Sequence, residues 1–299
     1  MNTFKFKKLD PRLIAHDKMC VFIGKRGMGK TTLMKDILSF KASELTAGII
    51  FSPTEDANGT WSEHLSPLYI HAEFEQHKLQ SLLDRQIKIA KMLTKKLNNK
   101  YKKTNSSEFE EAERKKKINE ELKKLIPKVF VVMEDCGYDE AIKKSKALRY
   151  LFMNGRHLNI FLLMSLQYLL DITPGLRGQI DYIFFGKENN PNVKKKLFQH
   201  YFGMFPSYKL FDKAFTKFTS DRGCMVINTT AVSNNIVENV FYYKASPNKR
   251  FKLGNKYFIE FADKHYNPHY DSEEEEDDNA TNVNIDTNCD FEIGEQMGA

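Results

Sequence analysis

Short apolar runs punctuate a largely polar chain. Met19–Ile23, Ala47–Phe51, Val129–Met133, Leu158–Met164 and Asp181–Phe185 are apolar on nearly consecutive positions and rich in β-branched or aromatic residues. A strand buried on one face alternates apolar with polar; a strand apolar throughout is buried on both faces, as in a parallel sheet covered by helices. Thr31–Phe40 carries a helical pattern between the first two runs. Strands alternating with helices predict right-handed crossovers and an α/β sandwich. Two later runs, Cys224–Ile227 and Val240–Tyr243, predict a closing hairpin or extra edge strands.

Between the second and third runs the period changes. Leu79, Leu82, Leu83, Ile87, Ala90, Leu93 and Leu97 recur at helical spacing. Asn98-Asn99 and Thr104-Asn105-Ser106-Ser107 interrupt the pattern, and a second helix is predicted over Glu108–Leu125, ending before Pro127. The pair reads as a helical hairpin inserted into the core, over about residues 75–127. From Asp84 to Lys128 it holds 15 Lys+Arg and 7 acids, so its face is either solvated or a contact for nucleic acid or a neighbouring subunit. After Tyr270 large apolar residues become scarce, and a disordered tail is expected. The expected division is one folded domain over 1–262 and an acidic tail over 263–299.

Charge sharpens that division. The 299 residues hold 46 Lys+Arg and 39 Asp+Glu, a formal +7. Residues 271–299 carry 11 of the acids and no Lys or Arg, so residues 1–270 set 46 basic groups against 28 acids, a formal +18. Such a body is either well solvated or meets a polyanion. No run of 18 apolar residues is present, so no membrane-spanning segment is expected. The start, Met1 to Phe6, lacks the apolar run of a secretory signal. Cys20, Cys136, Cys224 and Cys289 are too scattered for a disulfide framework or zinc site, which fits a reducing compartment. His265 and His269 are four apart, but Pro268 between them argues for a surface loop.

Candidate chemistry begins at Gly24-Lys25-Arg26-Gly27-Met28-Gly29-Lys30-Thr31, followed by Thr32. Gly, four residues, then Gly-Lys-Thr is the phosphate-loop pattern, and it lies where that loop must lie, between a strand and a helix. Glycines let backbone amides turn toward phosphate oxygens, and the helix that follows presents its positive end. Lys30 is expected to reach the β and γ phosphates of ATP, and Thr31 to ligate Mg2+.

The run Val129–Met133 ends in Glu134-Asp135. Successive strand side chains point apart, so one carboxylate can serve Mg2+ while the other faces the attacking water. The usual order puts Asp first. Here Glu134 holds that place, read as the residue near Mg2+, with Asp135 as base or water orienter and the exchange of roles open. Gln167, at the end of the next apolar strand, is placed to sense the γ-phosphate or orient water; capping its own loop is the alternative.

The phosphate loop, Glu134-Asp135-Cys136, and above all Phe152-Met153-Asn154-Gly155-Arg156-His157 before the strand that leads to Gln167, resemble the HerA/FtsK superfamily of DNA-pumping ATPases. Within it the chain is most similar to the genome-packaging ATPases of nucleocytoplasmic large DNA viruses, the group related to the poxvirus packaging ATPase. The resemblance covers roughly residues 15–245; Glu134 departs from the family's usual Asp. It implies a P-loop NTPase three-layer sandwich with a mainly parallel central sheet. It further implies a homo-oligomeric ring, a pentamer or hexamer, that translocates double-stranded DNA and engages a viral capsid or portal component. The expected places are the virus factory of the host cytoplasm and the virion. An arginine from one subunit would complete its neighbour's site; Arg156 is the first candidate and Arg177 the second, each with a surface salt bridge as its alternative. A cellular-type helicase or DNA-transfer motor of the same superfamily is the alternative function, though its usual DNA-processing or anchoring segments are not seen along this chain. A small-molecule kinase would need an arginine-bearing lid, for which the Lys-rich insertion is poorly suited.

Overall fold

The computed structural model describes residues 4–101, 108–136, 142, 144–168, 173–233, 235–246 and 249–267; the expected acidic tail from 271 and Cys289 lie outside them. Among the described residues nine strands form one sheet: β1 (Lys7–Lys8), β2 (Met19–Ile23), β3 (Ala47–Phe51), β4 (Ile70–His71), β5 (Val129–Met133), β6 (Ile160–Leu166), β7 (Tyr182–Phe185), β8 (Cys224–Asn228) and β9 (Val240–Tyr243). Their order is β1-β9-β8-β7-β2-β6-β5-β3-β4. Neighbours are parallel except for β8, which runs against β7 and β9. The strand that feeds the phosphate loop, β2, is therefore central.

The described helices are α1 (Lys30–Ser39), α2 (Glu55–Asn58), α3 (Gln76–Lys100), α4 (Glu108–Leu125), α5 (Lys146–Asn154), α6 (Pro174–Arg177), α7 (Pro191–Tyr201), α8 (Tyr208–Phe218), α9 (Ile236–Asn239) and α10 (Lys256–His265). They cover both faces of the sheet, and β2 is buried along its whole length. Val21 and Ile23 pack into the cluster made with Leu79, Leu83, Leu151, Leu197 and Phe211 of α3, α5, α7 and α8. Cys20 and Phe22 pack to the other side, with Leu33, Met34, Ile37 and Leu38 of α1 and with Trp61. Each fully buried side chain of this size contributes about 1.5–3 kcal/mol. The result is the three-layer P-loop NTPase sandwich, with a hairpin of α3 and α4 inserted between β4 and β5.

Several boundaries differ from the sequence reading. β6 begins at Ile160 rather than Leu158, because Gly155–Leu158 winds into a 3-10 turn that Asn159 closes with φ 50°. Its amide donates to the carbonyls of Lys123 and Ile126 at 2.7 and 2.9 Å, which fixes the kink. α3 runs on through Asn98-Asn99 to Lys100, since Asn lowers helix stability by only a few tenths of a kcal/mol. α10 runs through the boundary expected at residue 262 and takes in His265, stacked on Phe261 with ring centroids 4.0 Å apart. Asn255 caps its start, its side chain accepting from Phe258 N–H at 2.9 Å; Pro268 lies outside the described residues. His269 lies outside the described residues. Among the described residues no helix is long and apolar enough to cross a membrane. Cys20, Cys136 and Cys224 are all buried.

Candidate nucleotide-binding site

β2 ends at Ile23, and the chain turns through Gly24–Gly29 into α1. Gly24 N–H donates to Leu166 O at 3.1 Å and Gly186 N–H to Ile23 O at 2.8 Å, so the ends of β6 and β7 hold the base of the loop. Gly27 and Gly29 have φ of 80° and 79°, with open space around each Cα. Their requirement is thus conformational, since an L side chain in this region costs about 1–2 kcal/mol. α1 starts directly at Lys30, so its unpaired first amides and positive end face the loop. Lys30 is buried; its Nζ donates to Gly24 O at 2.9 Å and lies 3.3 Å from Asp135 Oδ1. Lys25 turns the other way, to Glu188 at 3.0 Å.

The two carboxylates lie just past the end of β5 and diverge through the left-handed turn at Asp135, not through the strand alternation expected of them. Thr31 Oγ1 donates to Glu134 Oε1. Glu134 Oε2 accepts from Ser52 Oγ at 3.0 Å and from Trp61 Nε1 at 2.6 Å. Trp61 is wholly buried. Its loop is held by Glu55, also buried, whose carboxylate accepts from the amides of Trp61 and Ser62 at 2.8–3.0 Å. Asp135 sits at φ 47°; its N–H donates to Ser165 Oγ at 2.9 Å, and that hydroxyl donates to Asp135 Oδ1 at 3.3 Å. Glu134 therefore belongs to Thr31, and Asp135 to Lys30. A hydroxyl beside a carboxylate is the oxygen donor set that hard Mg2+ accepts together with phosphate oxygens and water. Among the described residues there is no cluster of three or more His, Cys, Asp or Glu, so such an ion would lean on substrate oxygens.

A cleft of about 630 Å³ opens over the loop. Arg26 to Thr32, Glu134 and Asp135 line it. Thr54, Asn58, Asp221, Arg222 and Lys244 line it too, and the sequence reading passed over them. Ser52 and Trp61 were also passed over. Ser52 had a usable signal: like Gly24 and Glu134 it follows a strand directly, at the carboxyl edge where open α/β sheets bind ligands. Trp61 is the single tryptophan. The turn at 221–222 carries no motif.

The remaining expected residues lie apart. Gln167 is partly buried and follows Leu166, the residue that anchors Gly24, but it is not among the residues lining the cleft. Arg156 lies before β6, at the opposite edge of the sheet. β6 has seven residues, which places Arg156 roughly 20 Å from its own loop at about 3.3 Å per residue. Its guanidinium is 3.8 Å from Asp181, which also takes Lys18 at 3.0 Å. Arg177 is partly buried and lies against Tyr201, whose phenol is pushed up by burial and drawn back by the guanidinium.

No protein-family model matches the chain. It is 30% identical over 270 residues to "Uncharacterized protein L437" of Acanthamoeba polyphaga mimivirus, covering 90% of this chain and 87% of that protein. It is 31% identical over 253 residues to "Uncharacterized protein 075L" of Invertebrate iridescent virus 6, covering 84% and 86%. Among solved structures, the genome packaging NTPase B204 from Sulfolobus turreted icosahedral virus 2, in complex with ATP-gammaS, overlays with a TM-score of 0.47 at 14% identity, over 78% of this chain and 99% of that one. That overlay is loose. By sequence, the chain belongs to the family of large DNA virus proteins that includes mimivirus L437 and iridescent virus 075L.

Proposed function

We propose that the chain is an ATP-hydrolysing motor that moves double-stranded DNA into a viral capsid, acting as a ring of identical subunits. One observation carries this reading. Lys30 inside the loop, Thr31 on Glu134 and Asp135 against Lys30 form a single joined set at the start of α1. The loop amides and the end of α1 receive the phosphates. Lys30 exchanges Gly24 O and Asp135 for β and γ oxygens. Thr31 and Glu134 would hold Mg2+, which offsets the charge on the phosphate oxygens. Ser52 and Trp61 keep the Glu134 carboxylate from turning. Asp135, steadied by Ser165, orients the water that attacks the γ-phosphorus, and Gln167 acts from the end of β6.

Arg156 stands too far from its own loop to serve it, so its proposed role is at a neighbouring subunit's site, where a trans arginine raises the rate by about 10³–10⁵. Arg177, partly buried against Tyr201, is the less suited of the two. The formal +18 of residues 1–270 suits duplex DNA, whose phosphates are contacted without regard to sequence. Membership of a viral family makes the encapsidated genome the proposed cargo, a capsid or portal component the proposed partner, and the host-cell virus factory the proposed place.

The test is ATP hydrolysis by the purified chain with Mg2+ and duplex DNA, set against Lys30→Ala. The variant is expected to fold and to lose hydrolysis by at least about a hundredfold. Equal rates in the two proteins would sink the proposal.

A further inference from the structure

The cleft has two ends. β5, with Glu134 and Asp135, lies two strands to one side of β2; β8 and β9 lie two and three strands to the other. Because β8 is antiparallel, its first residue and the last residue of β9 reach the same edge as the phosphate loop. Cys224 pairs with Tyr243 and Met225 with Phe185, which in turn pairs with Ile23. Arg222 and Lys244 therefore flank the loop on the side away from the carboxylates. The reacting phosphate belongs beside Glu134 and Asp135, so the rest of the nucleotide extends toward Asp221, Arg222 and Lys244.

The turn there is a shaped one. Asp221 and Arg222 are consecutive non-glycine residues in the left-handed region, with φ of 49° and 58°. Strain of this kind persists where the surroundings impose it and clusters at ligand sites. A Cβ on Gly223 would lie 2.3 Å from Phe218 O, which pins the turn against the end of α8. Asp221 pairs with Lys244, yet both are exposed, 82% and 55%, so the pair adds little to stability. The opposite wall is braced from below. Asp36 of α1, buried, accepts from the Tyr243 hydroxyl and from Ser246 N–H at 3.2 Å, and Lys249 Nζ lies 2.7 Å away. The exit of β9 is thus tied to the same helix that begins at Lys30.

We infer that Asp221, Arg222 and Lys244 grip the nucleoside end of the nucleotide, an inference that rests on the nucleotide reading above. A carboxylate gains nothing from phosphates; at this end it accepts from the ribose hydroxyls, with Lys244 balancing its charge. The planar guanidinium of Arg222 lies against the base.

The experiment measures binding of three probes to the full chain by calorimetry: ADP, 2′,3′-dideoxyADP and inorganic pyrophosphate. The wild type is expected to prefer ADP to both others by roughly tenfold or more, since a hydrogen bond to a charged acceptor is worth about that factor. Asp221→Asn and Arg222→Asn keep a residue that tolerates the left-handed region. Asp221→Asn, whose uncharged amide oxygen is a weaker acceptor, should shrink the preference for ADP over dideoxyADP by about fivefold or more. Arg222→Asn should weaken both nucleosides while pyrophosphate holds. Lys30→Ala should weaken all three. Variants at 221 and 222 that keep the wild-type preferences overturn the inference and leave the nucleotide reading standing. A wild type that binds neither ADP nor pyrophosphate removes the nucleotide reading, and the inference with it.

Discussion

Glu134 is held by three donors, and only one of them was visible in sequence. Thr31 could be paired with it because both belong to recognised spacings. Ser52 and Trp61 could not, since they reach Glu134 from 82 and 73 residues away. Trp61→Phe removes one donor while keeping a buried ring. It is expected to lower kcat by about tenfold to a hundredfold, the equivalent of about 1–3 kcal/mol, with the fold intact. A rate within twofold of wild type would mean that the Trp61 bond has no part in positioning Glu134. His71 gives a second residue-level outcome. Its carbonyl accepts Ser52 N–H at 2.8 Å, and its neutral ring lies 3.2 Å from Lys78 Nζ. Burial, followed by repulsion from Lys78, pushes the imidazole down to about 4. The unfolded chain, near 6.5, therefore takes the proton first. Stability present above about pH 6.5 is lost as pH falls toward 4, by at most about 3 kcal/mol. Urea midpoints across that range should fall more steeply for wild type than for His71→Gln, and parallel profiles would refute the assignment.

At the scale of elements, the buried strands were legible because both of their faces are apolar. β2, β3, β5 and β9 begin and end where the hydrophobic runs do. β1 and β4, two residues each, carry no such pattern and exist through backbone pairing with β9 and β3. The shift of β6 came from Asn159, whose left-handed turn is set by carbonyls of the inserted hairpin and not by its neighbours in sequence. The hairpin's leucine stripe was legible; its polar anchor was not. Gln86, fully buried, donates to Pro127 O at 2.9 Å and Leu158 O at 2.8 Å. Gln86→Ala strands both carbonyls and should cost about 1–3 kcal/mol in urea denaturation. Gln80→Ala, exposed on the same helix, should stay within about 0.5 kcal/mol. Equal costs would show that the hairpin is not anchored through Gln86.

Over the whole molecule, the residues proposed to hold phosphate gather on one edge of the sheet. Lys30, Thr31, Glu134 and Asp135 meet there, while Arg156 stands on the far edge. The phosphate loop was legible because its chemistry is local. The proposed nucleoside side was not, since Asp221 and Arg222 meet Lys244 only through the pairing of β8 with β9 and reach the loop's edge only because β8 reverses beside β7. If Arg156 works across a subunit boundary, a lone chain hydrolyses slowly and an assembled ring hydrolyses fast. The basic body adds a second demand, that duplex DNA promote assembly or turnover and that added salt weaken the effect. The decisive measurement is the ATPase rate per subunit against protein concentration, with and without duplex DNA. The account predicts a rate that climbs steeply as subunits associate and rises further with DNA; a rate per subunit flat in concentration and indifferent to DNA would contradict it.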